Sequence, residues 1–208
     1  ATGTWCDAGS RRLDIADYAI APDGGVLVAD GAEPIKLISY NLRNSHGKDG
    51  DNVWMKRRHA TPEMIHREAP DVFGVQEGLI DQLHYIDTEC PQYARVGVGR
   101  DDGAEKGEFM AVYYLRDRFE LLDSGTFWLS ETPDKVSRGW DGACNRTVTW
   151  VELKDRKSGK EFFYFNTHLD HKGKGATMLI LGAILMIVCH LTFAFVLPEF
   201  PSKPVAYG

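Results

Sequence analysis

Two short apolar segments, far apart in the chain, each lead into an ionisable side chain. The first, residues 72–75, precedes Glu77, and the second, residues 162–165, precedes His168. Short apolar runs of this kind are typical of buried strands, whose ends hold the following side chains at the edge of a sheet. A carboxylate at such an edge can bind a hard cation, and an imidazole can donate a proton. The pattern predicts a fold that brings the two strand ends together.

The length and the charge of the chain restrict its architecture and its partners. With 208 residues, the chain is long enough for one domain with a core and too short for two ordinary domains. Its net charge of −6 argues against a basic surface that holds long nucleic acid. There is thus no strong evidence for nucleic-acid binding, and any affinity for phosphate must come from a few local arginines.

The four cysteines of the chain are widely spaced and form no Cys-x-x-Cys pair. Neither a zinc site nor a dense disulfide framework is therefore indicated. One disulfide between Cys90 and Cys144 remains open.

The sequence patterns predict the order strand, helix, strand, helix, followed by further strands. Residues 35–40 are predicted to form a strand, and Thr61, as an N-cap before Pro62, predicts a short helix that ends near Glu68. Leu79, Leu83 and Ile86 would share one face of the next helix. Further strands are expected over residues 109–115, 127–129, 147–153 and 162–167.

Residues 178–197 form an uninterrupted run without a charged side chain. This length is about what a helix needs to span a bilayer. The alternatives are a buried helix or strand pair, or a segment foreign to the original fold. Lys172 and Lys174, just before the run, would by the positive-inside tendency leave the preceding domain in the cytoplasm.

We therefore expect four segments. They are an N-terminal extension or added hairpin over residues 1–34, a domain over residues 35–175, an apolar segment over residues 176–198 that can form a transmembrane helix, and a tail over residues 199–208.

Five motifs, in order along residues 35–175, resemble the endonuclease/exonuclease/phosphatase superfamily of deoxyribonuclease-like enzymes. They are Ser39-Tyr40-Asn41-Leu42-Arg43, residues 71–77, Gly107-Glu108-Phe109, residues 125–133, and Asn166-Thr167-His168-Leu169-Asp170-His171. The resemblance implies an α+β fold, a two-layer β-sandwich flanked by helices. We expect this fold to be incomplete here, followed by the apolar C-terminal helix.

The resemblance also implies a metal site. Glu77 resembles the family glutamate that ligates Mg²⁺ or Mn²⁺, and Asn41 resembles the asparagine that helps to hold the metal or the phosphate. Carboxylate oxygen is the ligand that these cations prefer. An ordinary surface glutamate and a turn-capping asparagine are the alternatives.

The remaining site residues are assigned on the same basis. His168 resembles the histidine that donates a hydrogen bond or proton to the phosphoryl group, and Glu108 the acid that orients it and keeps it protonated. Asp170 would face the site beside His168, because alternate residues of a strand share a side. Arg146 resembles an arginine that contacts phosphate, although a surface arginine at a strand edge fits equally well.

Two family motifs are not found in the sequence. One is a later Gly-Asp-x-Asn segment, which supplies the carboxylate that activates water, and the other is a terminal Asp-His pair. We therefore expect impaired activity, from a truncated product, a frameshifted reading or a domain relic fused to a membrane helix.

The leading hypothesis is a divalent-metal-dependent phosphoesterase acting on a phosphodiester or phosphomonoester. A non-catalytic, membrane-tethered remnant that binds metal or phosphate is the alternative, and a purely structural sandwich is a remoter one. The resemblance implies a secreted or periplasmic location, whereas a genuine apolar tail would place the protein at a membrane.

Overall fold

The computed structural model describes residues 35–170 and four short strands that precede them. These strands form two antiparallel pairs, β1 (Thr4–Cys6) with β2 (Arg12–Asp14) and β3 (Tyr18–Ile20) with β4 (Val26–Val28). The expectation of a hairpin before residue 35 agrees with these pairs, while the segment boundaries remain predictions. The apolar segment over residues 176–198 lies outside the described residues.

The first main sheet has four strands in the order β5-β6-β8-β7. They are β5 (Leu37–Asn41), β6 (Val72–Gln76), β7 (Tyr93–Val96) and β8 (Val112–Leu115). Strand β5 runs parallel to β6, and the other pairs are antiparallel. Because β5 and β6 are parallel and paired in register, Asn41 lies opposite Gln76, so the polar residues that end both strands lie at one edge.

The helices cover one face of this sheet. After a 3₁₀ turn (Gly50–Asn52) come α1 (Trp54–Arg57), α2 (Ala60–Glu68) and α3 (Ile80–Glu89). Ile65 of α2 and Leu83 of α3 are fully buried with Phe73 and Val75 of β6. This burial removes apolar area from water and fixes α3 directly after the end of β6.

The second main sheet packs on the other face of the first. Its strands are β9 (Phe119–Trp128), β10 (Thr147–Asp155) and β11 (Glu161–Thr167), in the antiparallel order β11-β10-β9. Val72 and Val112 of the first sheet meet Val151 and Leu153 of the second in one buried cluster. Strand β6 is therefore covered on both faces, which explains why its sequence is apolar without alternation. The predicted two-layer sandwich flanked by helices is confirmed.

Some local predictions were wrong. Thr61 is not an N-cap, since α2 begins at Ala60 and His59 is the residue before it. The buried hydroxyl of Thr61 instead lies 3.3 Å from the hydroxyl of Tyr40. The end of this helix at Glu68 is correct, with Ala69 in the left-handed region at φ 44°. Strand β9 is much longer than the predicted residues 127–129. The prediction missed most of it because its middle is exposed or half-buried and lacks a continuous apolar run.

The cysteines and the helices answer two open questions for the described part of the chain. Cys90 and Cys144 are both free thiols, so the disulfide between them does not form. Burial raises the pKa of the Cys90 thiol to about 11. Among residues 35–170, no helix has both the length and the apolar character needed to cross a bilayer.

Candidate active site

A buried polar contact joins the ends of β6 and β11. Asn166 is 4% exposed, and its amide nitrogen donates to the carbonyls of Val75 and Ala111, both at 2.8 Å. Its amide oxygen accepts a hydrogen bond of 2.6 Å from Gln76. Buried amides stabilise a fold when their donors and acceptors are all used, as they are here. The two sheets are thereby held together one residue before Glu77 and two residues before His168.

Close approach of the two sheets at this point requires glycine. A Cβ atom on Gly74 would lie 2.7 Å from the side-chain amide of Asn166 and 2.9 Å from the hydroxyl of Tyr164. Larger residues at position 74 would push the second sheet away from β6. Glycine therefore sets the separation of the two strand ends.

Glu77 has the backbone conformation of a strained functional residue. Its φ of 60° lies in the left-handed region, which residues with a Cβ atom rarely adopt. One carboxylate oxygen accepts a hydrogen bond of 2.8 Å from the amide of Asn41. The other is buried and accepts no hydrogen bond from the residues that the structure describes, and Arg43 lies 4.0 Å from it. A buried carboxylate oxygen without a donor is suited to a cation.

Asn41 orients Glu77 from the end of the neighbouring strand. Its side-chain oxygen accepts a hydrogen bond of 2.9 Å from the backbone N–H of Arg43, so its nitrogen must point toward Glu77. The following loop is fixed from α3, because Gln82 accepts hydrogen bonds from the N–H groups of Ser45 and Leu79 and donates to the carbonyl of Arg43. Asn41 and Glu77 are thus brought together as the sequence predicted.

These residues fit a divalent cation in part. Glu77 supplies a carboxylate oxygen of the right chemistry. Within residues 35–170, however, no group of three or more His, Cys, Asp or Glu side chains could hold a metal ion. Among the described residues, Glu77 therefore offers a carboxylate oxygen to a cation, and a metal site at this position stays a prediction.

His168 lies beside Glu77. Its Nε2 atom is 3.9 Å from the Glu77 carboxylate, and its Nδ1 atom is 3.2 Å from Nη1 of Arg146. Because a guanidinium group only donates hydrogen bonds, Nδ1 of His168 must be the acceptor, and the ring proton resides on Nε2. The donor N–H of His168 is thereby fixed at the nitrogen nearer Glu77.

Glu108 raises the pKa of His168, as the prediction requires, but it is not the largest influence on the ring. Burial of the ring, and next the positive charge of Arg146, lower the pKa of His168, and the opposing effects of Glu77 and Glu108 are smaller. Glu108 directs one carboxylate oxygen to Arg100 at 2.6 Å and the other to the amide of Asn44 at 3.1 Å. A neutral imidazole is therefore the form that the surroundings favour.

Asp170 lies behind Arg146 and contacts the cleft through it, so its assignment as a catalytic residue stays a prediction. Its side chain is fully buried and lies 3.4 Å from Nε of Arg146. It also accepts a hydrogen bond of 2.9 Å from the backbone of Ala143. Strand β11 ends at Thr167, so the strand alternation that predicted its direction does not extend to Asp170. Arg146 itself is 4% exposed and is not a surface arginine.

One cleft of about 270 Å³ joins these groups. Four predicted site residues line it, Glu77, Glu108, Arg146 and His168, while Asn41 and Asp170 contact the lining from outside. Its other lining residues are Arg43, Asn44, Arg100 and Cys144. Arg43 and Arg100 are two of the local arginines that the sequence offered for phosphate binding, whereas Asn44 and Cys144 were not assigned. Arg43 belongs to the first motif and Cys144 lies two residues before Arg146, while Arg100 had no signal beyond its charge.

Comparisons with known proteins agree with this geometry. No family model matches the chain. An uncharacterised protein of Acanthamoeba polyphaga mimivirus, L388, is 26% identical over 145 residues, which are 65% of this chain and 54% of that protein. Two solved structures match 76% of the chain and 60% of their own length with a TM-score of 0.72.

The two structures are informative about the family. One is an endonuclease/exonuclease/phosphatase from Bacteroides vulgatus, 37% identical to this chain, and the other is a mannosyl-6-phosphatase from Bacteroides thetaiotaomicron, 39% identical. The chain spans about 60% of the length of these structures. This chain belongs to the endonuclease/exonuclease/phosphatase superfamily, because it shares the fold of these structures and their sequence to 37% and 39%, and because its strand-end residues occur in the order of the family motifs.

Proposed function

We propose that the protein is a divalent-metal-dependent phosphoesterase whose reaction takes place in the cleft between Glu77 and His168. The observation that carries the proposal is their separation of 3.9 Å, although the two residues come from different sheets. Glu77, with a carboxylate oxygen that accepts no hydrogen bond from the described residues, meets His168 there. The N–H donor of His168 is fixed at Nε2, and arginines of the cleft lie beside both residues. This combination suits a phosphate group and a cation that neutralises it.

The family relationship supports this class of reaction. The relative from Bacteroides thetaiotaomicron is described as a mannosyl-6-phosphatase, which acts on a phosphate ester. The chain covers only part of that relative, so activity and substrate remain proposals for this protein. Mg²⁺ or Mn²⁺ is the cofactor that we propose, because Glu77 offers carboxylate oxygen.

Three residues of the cleft, with two that orient them, have distinct tasks in the proposed reaction. Glu77 holds the cation, oriented by Asn41, and a bound cation would polarise the phosphoryl group. Arg146 binds a phosphate oxygen while Asp170 holds its guanidinium in place. His168 donates its Nε2–H to another oxygen of the phosphoryl group, where a hydrogen bond stabilises the developing charge.

A turnover assay tests the proposal. Wild-type protein is incubated with an aryl phosphate monoester and an aryl phosphate diester, with and without Mg²⁺, beside the variants His168→Ala and Glu77→Gln. We expect Mg²⁺-dependent turnover that falls at least about tenfold in each variant. Glu120→Gln is the control, because Glu120 is an exposed residue of β9 paired with Arg156. Equal rates in wild type and both site variants would reject the assignment.

A second candidate is binding of metal and phosphate without hydrolysis. It is favoured by the composition of the described cleft, whose two carboxylates, Glu77 and Glu108, are already bound to Asn41 and to Arg100 with Asn44. In the proposed roles Glu77 binds the cation and Glu108 holds Arg100, so neither carboxylate is assigned to activate water. Calorimetric binding of Mg²⁺ and phosphate without any turnover would support this candidate, and clear turnover by the purified 208-residue chain would eliminate it.

A further inference from the structure

Arg100 is a second arginine of the cleft that is held as firmly as Arg146. Its side chain is 13% exposed, and Nη1 lies 2.6 Å from the carboxylate of Glu108. Its backbone carbonyl accepts hydrogen bonds from the indole of Trp128 at 2.8 Å and from the amide of Asn145 at 3.2 Å. Both the backbone and the side chain of Arg100 are thereby fixed.

The ion pair with Glu108 does not use all the donors of this guanidinium. An arginine has five N–H donors, and Nε of Arg100 is buried without an acceptor among the residues that the structure describes. Glu108 is itself largely buried and also receives a hydrogen bond from Asn44. Arg100 nevertheless lines the cleft, so its guanidinium lies beside any anion bound there. Glu108 therefore positions Arg100, as Asp170 positions Arg146.

The cleft then offers three independently held cationic positions: Arg100 held by Glu108, Arg146 held by Asp170, and the cation position at Glu77. A phosphate monoester has three unesterified oxygens, so each cationic position can meet its own oxygen while His168 donates to one that is shared, whereas a diester has only two. Charge-assisted hydrogen bonds to such oxygens are among the strongest in proteins, and a buried donor left without an acceptor is costly.

We infer that Arg100 is a phosphate-binding residue, positioned by Glu108, and that with Arg146 it selects phosphate monoesters over diesters. This inference rests on the proposed function and names its substrate class. Its consequence is a preference that depends on Arg100 and is expressed in binding as well as in turnover.

The test measures binding by calorimetry on the full 208-residue chain in the presence of Mg²⁺. Methyl phosphate and dimethyl phosphate are the two probes, since they differ by one esterified oxygen. The variants are Arg100→Gln, Arg100→Lys and Glu108→Gln, and thermal unfolding confirms that each is folded. Arg95→Gln is the matched control, because Arg95 also forms a partly buried ion pair, with Asp87, but does not line the cleft.

We expect wild type and Arg95→Gln to bind methyl phosphate at least about tenfold more tightly than dimethyl phosphate. Arg100→Gln should weaken the binding of methyl phosphate about tenfold or more and change the affinity for dimethyl phosphate by no more than about threefold. Binding of Mg²⁺ in the absence of either ester should be unchanged. Arg100→Lys should recover part of the loss, and Glu108→Gln should show a smaller loss of the same kind.

Equal affinity of wild type for the two esters, or an unchanged ratio in a folded Arg100→Gln variant, would overturn the inference while leaving the phosphoesterase assignment intact. Failure of wild type to bind either ester or Mg²⁺ would overturn both.

Discussion

Gln76 donates a hydrogen bond of 2.6 Å to Asn166 across the interface between the two sheets. The two residues are 90 positions apart in the chain; Gln76 directly precedes Glu77, and Asn166 lies two residues before His168. The distance between the acid and the imidazole is therefore set by an amide contact that neither of them makes.

Replacement of Asn166 by alanine should destabilise the fold strongly. The substitution removes two hydrogen bonds to buried carbonyls and leaves the Gln76 amide without its main acceptor, so the free energy of unfolding should fall by about 2–4 kcal/mol. Urea denaturation measures the change. Asn52→Ala, at an exposed position, should cost no more than about 0.5 kcal/mol, and an equally small cost at position 166 would contradict the role of the contact.

The sequence predicted the strands and their polar ends, but not the contact between them. Apolar runs such as residues 72–75 are visible because burial on both faces demands hydrophobic side chains throughout. The partner of Asn166 could not be predicted, because a side-chain amide carries no information about which distant strand it will face. For the same reason Thr61 was taken for a helix cap, although its hydroxyl lies next to that of Tyr40 in the folded chain.

Replacement of Glu77 by glutamine should separate cation binding from folding. The glutamine keeps the oxygen that accepts from Asn41 and loses the negative charge, so stability without metal should change by no more than about 1 kcal/mol. Saturating Mg²⁺ should stabilise the wild type, by about 2.7 kcal/mol at a hundred times the dissociation constant, and should not stabilise the variant. Thermal unfolding with and without Mg²⁺ gives both quantities. An equal response of the two proteins to Mg²⁺ would argue against Glu77 as a ligand.

Replacement of Asp170 by asparagine should act through Arg146. The variant leaves a buried guanidinium without its carboxylate, so we expect a loss of about 3 kcal/mol in the free energy of unfolding and weaker binding of inorganic phosphate. Magnesium binding by the folded variant should be unchanged. Asp123→Asn on β9 is the matched control, since this residue is exposed and should give neither effect. Loss of magnesium binding at full stability would instead make Asp170 part of the metal site.

Acid should weaken the fold through Asp155. Burial by itself would raise the pKa of this carboxyl group, but hydrogen bonds from the Lys157 backbone, the Ser158 hydroxyl and Arg118 lower it below its ordinary value of 3.8. In the acid range the unfolded chain then binds more protons than the folded one, so this contribution to stability is complete above the ordinary pKa and disappears as the pH falls through the folded value.

The comparison of wild type with Asp155→Asn isolates this contribution. Unfolding free energies measured between about pH 5 and pH 2 should show an advantage of the wild type that shrinks toward the acid end. An advantage that stays constant across this range would show that the charge of Asp155 is not the cause.

The sequence predicted which residues form the site more fully than it predicted the contacts among them. Position after a strand end identified Glu77 and His168, and resemblance identified Arg146. The charges in the cleft depend on contacts between residues that are not neighbours in the sequence. Arg100 forms an ion pair with Glu108, and the guanidinium of Arg146 faces the imidazole of His168. No local pattern encodes those neighbours, which is why the balance of charges around His168 could not be predicted.

The left-handed backbone of Glu77 has a consequence for variants obtained by selection. Glycine or asparagine at this position would relax the main chain and would be enriched in a library screened only for heat resistance, yet neither keeps the carboxylate. Variants enriched by such a screen would be more stable but would lack the carboxylate proposed to bind the cation, so thermostability and ligand binding have to be selected together.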